Sequence, residues 1–180
     1  MDPDRAASIR LLCLDVDGVL TDGRIVLDGD GRETKVFHVH DGMGIRLWQE
    51  AGHAVAIITS RSSGAVTARA SELGITHVYQ GVADKQETIR QVLEAAGATA
   101  SETAAVGDDL AALPMLGSIA LPIAVANAVP EVKAMASHVT ARSGGQGAIR
   151  ELIEDLLKAQ GRWDALVESR TRMTQPMQEH

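Results

Sequence analysis

"LLCLDVDGVLTDG", residues 11–23, begins as the centre of a protein core and then places Asp15 and Asp17 where that core should end, with Val16 between them and Gly18 after. A short apolar run bounded by a glycine turn reads as a buried strand. In an open parallel sheet, ligands bind beyond the carboxyl ends of the strands, so two acids at such a rim mark the place to look for chemistry.

Working outward, the run Ile9–Leu14 is followed by four more of the same kind: Val55–Ile58, His77–Tyr79, Ala104–Val106 and Ile119–Ile123. Between them apolar residues recur at helical spacing: Val66, Ala70 and Leu73; then Ile89, Val92, Leu93 and Ala96; and finally Ile149, Leu152, Ile153, Leu156 and Leu157. Strands apolar on both faces belong to a parallel sheet covered by helices on both sides. The expectation is an α/β, doubly wound, mainly parallel sheet of Rossmann-like type. One stretch breaks the alternation: residues 24–37 hold two β-rich runs around Asp28-Gly29-Asp30-Gly31, which predicts a hairpin flap directly after the two aspartates.

The 180 residues fit a single domain, 1–180, with its core over residues 9–157 and a loose polar tail over 158–180 that includes Pro176. Hydrophobic residues make up 45% of the chain and aromatic ones 2%, so the core is aliphatic and there is little to stack on nucleic-acid bases. A formal charge of -7 also sets a repulsive field against a phosphate backbone, although a small anion remains possible where a local cation receives it. Cys13 is the only cysteine and sits in an apolar run, which excludes an intrachain disulfide. No apolar segment is long enough to span a bilayer and the amino terminus lacks a signal-peptide pattern, so no membrane partner and a cytoplasmic setting are the expectations.

The residues just past each apolar run are chemically consistent with one another. They are Asp15 and Asp17 after the first, Thr59, Ser60 and Arg61 after the second, Lys85 a little beyond the third, and Asp108 with Asp109 after the fourth. Crowded carboxylates call for a cation, and Mg²⁺ prefers one or two carboxylates together with water and phosphate oxygens. Thr59 and Lys85 are donors suited to phosphoryl oxygens. Asp84 and Glu87 have the spacing of a capping box, which would put Lys85 in the first turn of a helix, where anions are favoured. His38 and His40 alternate as though on one exposed strand face, Arg46 and Trp48 fall in a helix with a packing role, and "RSGGQGAIRE" has the glycines of a turn or an anion-binding loop. Arg61 is placed to contact a substrate.

"DVDGVLTDG", "IITSRSS", Lys85 and "VGDDLAALPML" together resemble the four motifs of the haloacid dehalogenase superfamily of phosphohydrolases. "DVDGVLTDGRI", "FHVHDGMGIRLW" and "GGQGAIRE" are similar to its subgroup acting on 3-deoxy-D-manno-octulosonate 8-phosphate, over about residues 9 to 157. The resemblance implies that Asp15 is a nucleophile, that Asp17 is a general acid and base, and that Thr59 and Lys85 bind the phosphoryl group. It further implies that Asp15, the main-chain carbonyl of Asp17 and Asp108 hold Mg²⁺ with Asp109 near its waters, and that the chain has no large cap domain and forms a homotetramer through the hairpin. A small acidic sugar phosphate is the implied substrate, with an acylneuraminate 9-phosphate as the alternative. His40 and Ser60 depart from the subgroup pattern, at positions expected near the pocket. A receiver domain would place its phosphorylated aspartate before the Thr and Lys, whereas Asp108-Asp109 follows both. A non-catalytic oligomerisation module would have no need of all four motifs.

Overall fold

The structure, a computed structural model, describes residues 1–172. The chain order is α1 (Pro3–Ser8), β1 (Leu11–Leu14), β2 (Val26–Leu27), β3 (Glu33–Thr34), α2 (Val39–Glu50), β4 (Ala54–Ile58), α3 (Gly64–Glu72), β5 (His77–Tyr79), α4 (Lys85–Ala96), β6 (Thr103–Gly107), α5 (Leu113–Leu116), β7 (Leu121–Ala124), α6 (Pro130–Met135), β8 (His138–Val139), α7 (Ala148–Ala159) and α8 (Trp163–Arg172). Six strands form one sheet in the order β5-β4-β1-β6-β7-β8, and every pair in it is parallel. The doubly wound sheet inferred from the apolar runs is therefore present, with no large inserted domain among the described residues.

The sheet is central because its strands have no polar face. Leu11, Leu12, Cys13 and Leu14 are all fully buried, as are Ala104, Ala105 and Val106 on the neighbouring strand. Helix α7 packs against both α1 and α2, and α5 packs against both α4 and α6. Amphipathic α7 shows how periodicity becomes packing: Ile149, Leu152, Ile153, Leu156 and Leu157 are fully buried, an area worth about 1.5–3 kcal/mol for each side chain. Trp48 is enclosed in the core and donates from Nε1 to the Ala54 carbonyl at 2.9 Å, a packing role as its helical position suggested.

The predicted hairpin exists but is short. Val26–Leu27 pairs antiparallel with Glu33–Thr34, and Asp28 closes the turn by accepting from the backbone N–H of Asp30 and Arg32. Gly31 takes φ +77, the left-handed value that a residue with a side chain resists. His38 and His40 do not lie on a strand, contrary to the alternation. His38 caps α2 and His40 sits in its first turn, because the extended chain ends at the cap.

A second difference concerns the tail. Residues 158–159 finish α7, and Trp163–Arg172 form α8, which packs back on α7. The polar composition masked a helix whose contacts include Arg150 and Lys158 over the Trp163 ring, cation–π pairs that a count of apolar residues does not register. Pro176 and the other closing residues lie outside the described part.

Candidate active site

Strand register levels the site. Leu14 is paired with Ile57 on one side and Val106 on the other, so Asp15, Thr59 and Asp108 emerge near one height at the carboxyl edge of the sheet. All eight residues singled out from the sequence, Asp15, Asp17, Thr59, Ser60, Arg61, Lys85, Asp108 and Asp109, line one open cleft of about 290 Å³ together with Gly23 and Ala111. His40 does not. In this chain it borders a separate depression with Arg142, Arg150 and Glu151, because the start of α2 faces α7 rather than the strand ends.

The catalytic loop leaves the sheet tightly. Gly18 adopts φ +82, and a Cβ there would stand 1.9 Å from Asp108 Oδ2, so only glycine lets the two acidic segments approach. The Thr21 hydroxyl accepts from Gly18 N and donates to the Val16 carbonyl, closing the turn from inside. The "RSGGQG" segment supports it: Gly145 N donates to the Val19 carbonyl at 2.9 Å, and a Cβ at Gly144 would fall 1.8 Å from the Gly18 carbonyl oxygen. These glycines thus allow backbone to lie against backbone behind the catalytic loop.

Asp15 is 7% exposed, and its Oδ1 accepts from Val16 N at 2.8 Å while the Lys85 ammonium donates to Oδ2. Burial raises the Asp15 carboxyl above its usual range, against the pull of Lys85. Lys85 is the first residue of α4, whose cap is Asp84: Oδ1 accepts from Gln86 N and Glu87 N at 2.9 and 3.0 Å. Only the Asp84 half of the expected capping box forms, because the Glu87 carboxylate turns outward to Arg90 and Gln91. Thr59 is buried and fixed by its backbone, donating to the Tyr79 carbonyl and accepting from Val82 N.

Asp108 carries the marked electrostatic anomaly. Burial first, then the charges of Asp15 and Asp109, push its pKa up to about 6, against the lowering influence of Lys85. Crowded hard oxygens with a raised proton affinity fit a divalent cation of the Mg²⁺ type. Among the described residues no three carboxylates of the cleft bring an oxygen each within 4.8 Å of one another; the group that meets this condition, His138, Glu151 and Asp155, lies elsewhere. A cation in the cleft would therefore draw on a pair of side chains, supplemented by main chain and water. Asp109 is instead engaged with Leu110 N at 2.7 Å, as cap of a short turn.

Two residues in contact with the cleft's side chains escaped the sequence reading. Glu33 and Lys35 come from the hairpin: Lys35 Nζ bonds to Asp17 Oδ1 and lies 3.3 Å from Glu33 Oε1, while Arg61 Nη2 donates to Glu33 at 2.6 Å. Their only sequence signal is the two-residue spacing, which in extended chain puts both on one side; β3 itself ends at Thr34, and Lys35 follows it. Asp41 is buried and accepts from Arg150 N at 2.8 Å, serving the α7 amino terminus that Gly147 leaves without a side-chain cap.

The fold, the levelled acidic strand ends and the adjoining Thr and Lys define a class, and comparison with known proteins agrees with it. A model of haloacid dehalogenase-like hydrolases matches residues 65–152. The 3-deoxy-D-manno-octulosonate 8-phosphate phosphatase KdsC of Escherichia coli (strain K12) is 45% identical over 160 residues, 89% of this chain and 85% of that protein. The Moraxella catarrhalis 3-deoxy-D-manno-octulosonate 8-phosphate phosphatase, solved with magnesium, phosphate and KDO, superposes with a TM-score of 0.90 at 40% identity, covering 93% of this chain and 96% of that one. A cobalt-bound phosphatase of the same kind from Haemophilus influenzae gives a TM-score of 0.90 at 35% identity, covering 94% and 99%. The chain belongs to the haloacid dehalogenase-like hydrolases. Within that family it is a phosphatase.

Proposed function

We propose that this phosphatase hydrolyses 3-deoxy-D-manno-octulosonate 8-phosphate to the free sugar acid and phosphate, in the cytoplasm, through an aspartyl phosphate on Asp15. The observation that carries the reading is the meeting of Asp15, Asp17, Thr59, Lys85 and Asp108 in one cleft. The phosphatases named above supply the substrate class.

A phosphate monoester is a dianion and a carboxylate a weak nucleophile, so attack needs neutralised equatorial oxygens and an in-line approach. Thr59 and Lys85 bind the phosphoryl oxygens. Bound between Asp15, the Asp17 carbonyl and Asp108, with Asp109 near its waters, Mg²⁺ would neutralise phosphoryl charge. Asp15 attacks phosphorus while Asp17 gives its proton to the departing oxygen; Asp17 then takes a proton from the water that releases phosphate. Val16 separates the two acids so that one faces phosphorus and the other the leaving group. Ser60 and Arg61, at the mouth, meet the sugar acid.

The same proposal includes one phosphatase domain over residues 1–180 and a homotetramer built on the hairpin. Ile25, Val26, Leu27 and Val36 are exposed on the hairpin and Val39 at the start of α2, apolar side chains that a subunit contact would cover. A monomer in sedimentation at working concentration removes the tetramer from the proposal.

Purified protein with Mg²⁺ is to be assayed for phosphate release from phosphorylated ulosonic and sialic acids, with a chelator control. The expected result is a kcat/KM for the octulosonate at least about tenfold above the acylneuraminate 9-phosphate, abolished by chelation and restored by Mg²⁺. Preference for the acylneuraminate, or no release from either, overturns the substrate assignment.

A further inference from the structure

The hairpin brings two charged side chains, Glu33 and Lys35, against the cleft residues Asp17 and Arg61, and the reaction set out above has no use for them. Asp17, Lys35, Glu33 and Arg61 form a closed ring of alternating charge: Lys35 bridges Asp17 Oδ1 and Glu33 Oε1, and Arg61 bridges Glu33 and the Asp17 side. The two cations differ in exposure. The Lys35 side chain is 2% exposed, whereas that of Arg61 is 47% exposed and open to a ligand.

The geometry sorts the two oxygens of Asp17. Oδ1 is held by the Lys35 ammonium. Oδ2 has only Arg61 Nε at 3.7 Å, beyond hydrogen-bond range, and so is the oxygen left for a substrate. Glu33 shares both cations and opposes burial of its own carboxyl through them: burial alone would raise its pKa, yet Arg61 and Lys35 together hold it below the usual range. A buried lysine with two of its three donors engaged by carboxylates is fixed in place, unlike a lysine on the surface.

We propose that Lys35 is a positioning residue: anchored by Glu33, it fixes Asp17 through Oδ1 so that Oδ2 alone delivers and recovers the proton. This rests on the phosphatase reading above. In the first half-reaction the bond from Asp15 to phosphorus forms, the bond from phosphorus to the leaving oxygen breaks, and the Oδ2 proton passes to that oxygen. In the second, water oxygen bonds to phosphorus, its proton returns to Oδ2, and Asp15 is released with free phosphate. The hairpin is thereby part of the catalytic apparatus within its own chain.

The test compares wild type and Lys35→Met on two esters: the sugar phosphate that the wild type turns over best, and p-nitrophenyl phosphate, whose weakly basic leaving group needs no proton. For the sugar phosphate, kcat/KM is expected to fall about 10–100-fold through kcat, with KM within about threefold; on the aryl ester kcat/KM, which ends at formation of the aspartyl phosphate and release of the phenol, is expected to change little, while kcat falls wherever the second half-reaction limits it. Lys35→Arg is expected to restore most of the loss, and Lys35→Met is expected to add nothing in an Asp17→Asn background. Equal loss of kcat/KM on both esters, or a loss confined to KM, overturns the proposal in favour of hairpin anchorage or substrate binding. If Lys35→Met does not fold, Glu33→Gln is expected to give the same split at smaller size, and an equal loss there counts against it. A wild type that prefers a different sugar phosphate overturns only the substrate assignment, and the comparison is made on that ester. A wild type idle on every phosphate ester overturns both.

Discussion

Asp108 is half-buried beside the charges of Asp15, Asp109 and Lys85, and its elevated proton affinity has consequences that can be measured without a substrate. With a folded pKa of about 6 against an ordinary 3.8, the native protein binds this proton more tightly than the unfolded chain does. Stability from this group is therefore fully present below about pH 3.8 and lost as pH rises through about 6, the reverse of an ion-paired carboxylate. Asp15 is shifted in the same direction, chiefly by burial. Metal-free Asp108→Asn is accordingly expected to melt above metal-free wild type at pH 7.5, with the gap closing as pH falls toward 5. Discounted for solvent exposure, the effect is of order 1 kcal/mol, or about 2–4 °C. Mg²⁺ is expected to raise the wild-type melting temperature and leave the variant unmoved. A variant that is less stable at neutral pH, or that still responds to Mg²⁺, contradicts the placement of Asp108. The strand-end acids were legible because each follows an apolar run. Lys35 was not, because nothing in "RETKVF" reveals that the chain leaving β3 brings it onto Asp17.

At the scale of elements, the catalytic loop depends on a neighbour more than a hundred residues away in sequence. The segment before α7 lies directly against Gly18 and Val19, with Gly144 N also donating to Asn127 Oδ1 at 2.8 Å. Gly144→Ala forces a methyl into the Gly18 carbonyl, an overpacking that costs about 1–3 kcal/mol. The backbone must then move at the point that aims Asp15 and Asp17. The expected outcome is a folded protein with kcat reduced at least about tenfold, checked by steady-state kinetics beside a thermal melt; wild-type kcat contradicts this support role. Periodicity located α7 and the five main strands, because burial repeats every two or 3.6 residues. It missed β8, only two residues long, and α8, whose seat combines cation–π contacts at Trp163 with the partly buried Leu166 and has no repeating apolar stripe. The Asp41 cap on α7 was equally hidden, since it joins two helices that no local pattern connects.

For the molecule as a whole, the sheet brings distant side chains to one place. The order β5-β4-β1-β6 sets β1 between the strands that deliver Thr59 and Asp108, and α4, entered after β5, returns Lys85 to the same edge. Six parallel strands, of which the four central ones are largely buried, make that edge rigid, which suits a reaction needing alignment rather than closure of a large second domain. The overall architecture was legible from the sequence for the same reason: unbroken apolar runs admit few arrangements other than a covered parallel sheet. Assembly between chains was not, since exposed apolar residues on the hairpin show a surface but not its geometry. The most direct test of the central claim is to quench the Mg²⁺-loaded enzyme in acid during turnover and map the phosphoryl group by peptide mass spectrometry. The account predicts a phosphoryl adduct on Asp15 that is missing from Asp15→Asn, which folds but does not turn over; turnover with no adduct, or an adduct on another residue, contradicts it.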